Sequence, residues 1–273
     1  MAGRAVPRAG RAVGRSASVT TGAASLKGRG FRAILAPMAS GSVLVVDGDS
    51  PLGRGLVRLL RQAGYRVAGT CRKPDRPDQP EPGDDGADAL RIPWGRSSAV
   101  SARNVMLRTL TAFERVDVAV FCFAPSLKRV LLHEADFADI DAAVDDWIRG
   151  TLLLLREVLG QLVKQGGGVL ALVQGFAREE AGASPPLEAT VRGAVADLSA
   201  SLLASYGGAG VSVVRFETAS PKTEEYARFV AAGIAAEVGR PPRQRSYRYR
   251  PSGGLLEKLP LPGRRGAART EGA

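Results

Sequence analysis

The chain has 273 residues, 45% of them apolar, and only two cysteines, which suits one α/β domain of ordinary size with tails and excludes a small disulfide-stapled scaffold. No apolar stretch is long enough to cross a bilayer as a helix. The net charge of +11 sits in the ends: residues 1–40 carry seven basic groups and no acid, residues 240–273 carry nine basic groups and two acids, and taking these two +7 tails from +11 leaves −3 for residues 41–239, so a nucleic-acid footprint on the folded part is not indicated.

Residues 1–40 are mostly Arg, Ala, Gly and Ser, a composition that builds no core. Three readings stand side by side: a transit peptide over residues 1–37, an ordinary disordered tail, or a start placed too early, with Met38 just before the first strand. The expected location is cytoplasmic, or organellar if the first reading holds. Residues 41–260 are expected to form the domain and residues 261–273 a second disordered tail.

The organising stretch runs from Gly41 to Arg72. Val43–Val46 is an unbroken, largely β-branched run, short enough for a strand buried on both faces. Gly48 breaks it, Asp49, Ser50 and Pro51 supply turn chemistry, and Leu52, Leu56, Leu59 and Leu60 then recur at helical spacing. Tyr65–Thr70 returns as a second strand. This β-α-β unit can place backbone N–H groups and a helix N-terminus where a pyrophosphate would sit, although Gly48, Gly53 and Gly55 are not spaced as GxGxxG.

Arg72–Ala87, dense in Pro, Gly and Asp, reads as a loop, and Ala89–Ile92 as a short third strand. Ser98–Phe113 is helical by period, with Val100, Val105, Leu107, Leu110 and Phe113 available to cover a sheet. Val116–Phe123 is a nearly all-apolar fourth strand. Phe137–Gln165 is one long helix with Ile140, Val144, Trp147, Ile148, Leu152, Leu155 and Val158 on its apolar face, ended by Gly166–Gly168. Val169–Val173, the helix Leu187–Ser205, Val211–Phe216 and the helix Thr223–Val238 complete six strands alternating with helices, which predicts a Rossmann-like, doubly wound parallel sheet. Cys71 and Cys122 fall at or near strand ends and read as buried thiols. His133 has only Glu134 and Asp136 nearby and reads as a surface or cap histidine; neither a metal site nor a Ser/His/Asp constellation is visible.

In this frame residues 42–260 resemble the short-chain dehydrogenase/reductase family. Phe113–Pro125 (FERVDVAVFCFAP) resembles its fourth strand and the Asn-Asn-Ala-Gly that ends it. The loop Gly48–Gly53 (GDSPLG) is similar, one residue short, to the Gly-Cys-Asp-Ser-Gly-Phe-Gly of the branch with 3-hydroxybutyrate, retinol and hydroxysteroid dehydrogenases. Gly210–Ala219 resembles that branch's sixth strand and Glu-Pro-Gly turn, and Arg240–Pro260 its Pro-x-x-Arg-Tyr segment.

The resemblance implies a Tyr-x-x-x-Lys pair for proton transfer, a Ser that holds the substrate oxygen and an Asn that orders a water relay. At those positions this chain has Glu188, Arg192, Gly175 and Trp147. Glu188 and Arg192 read either as a base and an anion-binding cation or as an ordinary i, i+4 ion pair worth a few tenths of a kcal/mol.

For the cofactor, the resemblance implies Gly48, Ser50, Gly53, Arg54, Arg72, Lys73 and Ala124 as binding residues. Arg54, Arg72 and Lys73 stand where a 2′-phosphate would lie, with no acid ending the second strand, which favours NADP over NAD. Pro51 replaces a glycine, Phe123 and Pro125 replace small or polar residues, and Trp94-Gly95 stands near the family's adenine-contacting Asp. The chain between Ala219 and Pro241 has room for one helix, less than the family's usual lid.

Two functions follow as expectations: a catalytically impaired, dehydrogenase-like binding or partner subunit, or an NADP-dependent oxidoreductase on a small carbonyl or alcohol with altered acid/base residues. Helices 137–165 and 187–205 are expected to build a homo- or hetero-oligomer, since they pack across a twofold axis in the family and Ala194, Ala196, Ala200, Ser201 and Ala204 leave close-approach surface.

Overall fold

The computed structural model describes residues 41–72, 89–125, 127–128, 130–175, 185–206, 208–218 and 223–250. The segment 1–40, Lys73, most of the expected loop 72–87, and the expected end of the domain and tail from 251 onward lie outside the described residues.

Seven strands form one sheet in the order β3-β2-β1-β4-β5-β6-β7, with every neighbouring pair parallel. They are β1 (Ser42–Val46), β2 (Arg66–Arg72), β3 (Leu90–Trp94), β4 (Val118–Phe123), β5 (Gly168–Gln174), β6 (Val211–Thr218) and β7 (Gln244–Tyr249). The helices are α1 (Pro51–Gln62), α2 (Ala99–Phe113), α3 (Phe137–Asp141), α4 (Gly150–Lys164), α5 (Pro186–Ser205) and α6 (Thr223–Glu237). This is the expected doubly wound, Rossmann-like sheet in one domain.

Strand residues alternate between two core layers, as the period-two geometry of a strand requires. Val118, Val120 and Cys122 point into the layer with Leu56 and Leu60 of α1 and Val230 and Ile234 of α6. Ala119, Phe121 and Phe123 point into the opposite layer, with Val105 of α2, Leu154 and Val158 of α4 and Val191 of α5. Both cysteines are buried thiols, and His133 is exposed.

Three local expectations change. Between α3 and α4, Ala142–Arg149 is wound as a π-helix, and the Gly150 N–H reaches back five residues to the Asp145 carbonyl. Such an extra residue in the winding changes the local phase of the side chains: Val144, within the segment, and Leu152, just after it, are exposed, while Leu155 and Val158 are buried as expected, beside Leu154 and Leu162. On α2, Val100 and Leu107 face solvent; Ala102, Val105, Met106, Thr109 and Phe113 cover the sheet. The third strand also ends two residues later than expected, so that Trp94 is its buried last residue.

The seventh strand was not expected, because QRSYRY has only two apolar residues. At an edge those two suffice: Tyr247 and Tyr249 are buried while Ser246 and Arg248 are exposed. Tyr247 stacks on Phe216 with ring centroids 5.2 Å apart and donates its hydroxyl to the buried Glu237 carboxylate, which also accepts from Arg243 Nε at 2.6 Å.

Candidate functional site

In a doubly wound sheet the ligand crevice opens beyond the carboxyl ends of the strands where the order reverses, here between β1 and β4. The turn from β1 into α1 is built as the glycines predict. Gly53 packs the helix onto the strand so closely that a Cβ there would lie 1.9 Å from the Asp47 carbonyl oxygen. Gly48 lies against β2, where a Cβ would come within 3.0 Å of the Gly69 Cα, and its N–H donates to the Thr70 carbonyl at 2.9 Å. Ser50 is the N-cap: its Oγ accepts from the Gly53 N–H at 3.0 Å and donates to the Asp47 carbonyl at 2.8 Å.

Two of the helix-end positions offer a pyrophosphate no donor. Pro51, the first helical residue, has no N–H, and the Gly53 N–H is taken by Ser50. The expected cations are engaged as well. Arg54 donates from Nη1 to the Asp49 carbonyl at 2.9 Å; the Arg72 guanidinium lies 3.8 Å from the Asp146 carboxylate. An acid does stand at the end of β2, although no residue of that strand supplies it: Asp49 reaches over from the β1 turn and accepts from the Arg72 backbone N–H at 3.0 Å.

The centre of the crevice holds a constellation that the spacing of motifs did not reveal. Asp47, the residue just after β1, has the positive φ of 63° and a buried side chain, and its carboxylate forms an ion pair and hydrogen bond with Arg96 from the turn after β3. The Arg96 guanidinium lies over two indoles, 4.2 Å from the ring centroid of Trp147 and 5.2 Å from that of Trp94, the geometry of cation–π contacts. Only 14% of the Arg96 side chain and 8% of that of Asp47 is exposed. Burial pushes the Asp47 carboxyl above its ordinary range; Arg96 pulls it down, and Asp49 and Asp146 push it further up. The π-wound segment carries both Trp147 and Asp146 into this region. Gly150, which follows it, lets the loop approach, since a Cβ there would lie 2.7 Å from the Arg96 carbonyl oxygen.

The positions expected to carry chemistry are occupied otherwise. Gly175, at the end of β5, is packed under Leu52 and beside Ala124: a Cβ on it would lie 2.9 Å from Leu52 Cδ2 and 3.1 Å from Ala124 Cβ. Leu52, in the first turn of α1, is only 3% exposed, so an apolar side chain plugs the space between the ends of β1, β4 and β5. Trp147 holds Arg96 and has no amide to order water. Glu188 and Arg192 do pair, at 3.7 Å, but with 16% and 14% of their side chains exposed they are largely covered, unlike an ordinary surface pair. Two buried donors, Trp94 Nε1 and Gln174 Nε2, have no hydrogen-bond partner among the described residues.

Asp47 and Arg96 are the site residues that sequence reasoning missed. A carboxylate ending a buried strand demands a partner, and an arginine two residues after a buried tryptophan is a ready one. No local pattern, however, links residues 49 apart.

No protein-family model matches the chain, and no curated protein matches it in sequence. Solved structures do match in shape. A short-chain type dehydrogenase/reductase from Mycobacterium marinum superposes with a TM-score of 0.62 at 14% identity, over 81% of this chain and 97% of the other. The 3-ketoacyl-(acyl-carrier-protein) reductase from Brucella melitensis, solved with NADH, gives 0.61 at 16% identity over 76% and 96%. A short-chain dehydrogenase/reductase from Serratia marcescens gives 0.63 at 16% identity over 78% and 98%. Strand order, crevice and these likenesses agree: the chain has the fold of the short-chain dehydrogenase/reductases.

Proposed function

We propose that this chain is a dehydrogenase-like protein that has kept the nicotinamide-dinucleotide fold without its proton-transfer chemistry, and that it works as a binding or partner subunit. The observation that carries the reading is what stands at the two expected chemistry positions: an ion-paired Glu188–Arg192 on α5 and, at the end of β5, a glycine, Gly175. Reducing a carbonyl needs a positioned proton donor, and an ion-paired carboxylate only accepts hydrogen bonds. Gly175 brings no hydroxyl to the substrate oxygen, and losing one preorganised donor of that kind costs on the order of a hundredfold or more in rate. The test is consumption of NADH or NADPH by purified protein with a panel of ketones. Absence of turnover supports the reading, and turnover lost in Glu188→Ala overturns it.

A second reading, an NADP-linked oxidoreductase, is favoured by one observation: Arg54 and Arg72 flank the crevice from α1 and β2. Their engagement with Asp49 and Asp146 is why we rank it below the first.

For the partner we propose assembly through α4 and α5. The sheet-facing side of α5 is Leu187, Val191, Val195 and Leu202, while Ala200, Ser201 and Ala204 are exposed. Ala194 and Ala196 are half-buried, so the surface left for a helix-to-helix contact is the C-terminal part of α5, Ala200, Ser201 and Ala204. Light scattering at micromolar concentration tests this: a dimer or larger mass supports it, a monomer mass removes it.

A further inference from the structure

As it stands the crevice does not fit a dinucleotide: Pro51 has no N–H and the Gly53 N–H is held by Ser50, Leu52 fills the space at the ends of β4 and β5, and Arg96 crosses from the β3 side to Asp47. We propose that the Arg96–Asp47 pair is a latch that closes the crevice against dinucleotides, with the Arg96 guanidinium occupying the place between Trp94 and Trp147 that a planar ligand group would need. This deepens the reading of a non-catalytic dinucleotide fold and rests on it.

Three independent features point to a closing contact and away from an incidental surface pair. The two charges come from the loops after β1 and β3, on either side of β2 and 49 residues apart, and meet with both side chains almost wholly covered. The guanidinium is held by two aromatic faces as well as by the carboxylate, and Arg is the cation suited to that double use. The Trp94 Nε1 donor is buried without a partner among the described residues, an unmet group of the kind that a ligand in this place could satisfy.

The chain's only two tryptophans are the two that hold Arg96, so intrinsic fluorescence reads the latch directly. NADH titrated against the full chain, followed by energy transfer from tryptophan, should show no saturation up to millimolar cofactor. The variant Asp47→Asn/Arg96→Ala, verified as folded by its melting transition, should shift tryptophan emission and bind NADH at least tenfold more tightly. Asp47→Asn alone provides a second variant of nearly the same shape, since Asn tolerates the positive φ at this position; it should also gain affinity. Micromolar NADH binding by the unaltered protein, or folded variants that bind no better than it, would overturn the latch. Either result is distinguishable from failure of the functional reading, which is decided by turnover and not by binding.

Discussion

The guanidinium of Arg96 lies over Trp147, 4.2 Å from its ring centroid, and ends on the buried carboxylate of Asp47, so one arginine joins β1, β3 and the π-wound helix across the mouth of the sheet. Removing one partner of a buried pair strands the other. Arg96→Ala is therefore expected to destabilise the fold by about 3–5 kcal/mol, and Asp47→Asn/Arg96→Ala by less than Arg96→Ala alone. Chemical denaturation of the two variants checks the order; a double variant weaker than the single one would show that Asp47 is not the stranded charge.

The same pair gives a pH signature. Asp47 is raised above its ordinary 3.8, first by burial and then by Asp49 and Asp146, with Arg96 opposing; the Cys122 thiol, pushed up chiefly by its own burial, is pushed up further by Asp47. Because the folded-state pKa is the higher one, Asp47 contributes stability that is fully present below the unfolded value and is lost as pH rises through the folded value. Acidification should therefore release Arg96 while the fold persists, seen as a change in tryptophan emission centred above 3.8 and missing from Asp47→Asn. An identical titration in that variant would assign the change elsewhere.

Gly53 and Gly150 make separate predictions from the same geometry. A methyl at 53 would sit 1.9 Å from a backbone carbonyl, which no rotamer relieves, so Gly53→Ala should cost at least about 3 kcal/mol, beyond the usual range for overpacking. A methyl at 150 meets the Arg96 backbone at 2.7 Å and should push the latch loop outward, with a smaller loss of stability and a shift in tryptophan emission. Thermal melts with fluorescence detection separate the two effects.

At the far edge of the sheet, Glu237 is fully covered and accepts from Tyr247 and Arg243. Glu237→Ala should cost several kcal/mol, about 3–5 on the scale of other broken buried pairs, and should fray β7 first. Hydrogen exchange of the β7 amides checks it; protection equal to that of the parent protein would contradict it.

How far the fold was legible follows from these same elements. Strands such as VAVFCF and helices such as α1 carry their own signal, an apolar run or a 3.6-residue period, and the glycine turn between them reads locally. The edge strand β7 does not, since its two tyrosines acquire meaning only once Phe216 and Glu237 are beside them. The π winding of 142–149 leaves no mark in the period and moved Leu152 from the expected core face to solvent. In the site, Gly175, Glu188, Arg192 and Trp147 were singled out by resemblance alone. The pairing of Asp47 with Arg96 was not, because it depends on two distant loops being brought to one end of the sheet.

Loss of proton transfer, as proposed, is separate from loss of access to the cofactor. The most direct measurement gives the unlatched Asp47→Asn/Arg96→Ala variant NADH together with a ketone panel, alongside the unaltered chain, and follows cofactor oxidation. The account predicts that the variant binds NADH and that neither protein oxidises it above the rate without protein. Ketone-dependent oxidation by the unlatched variant, abolished by adding Glu188→Ala, would contradict the account and make Glu188 a catalytic residue.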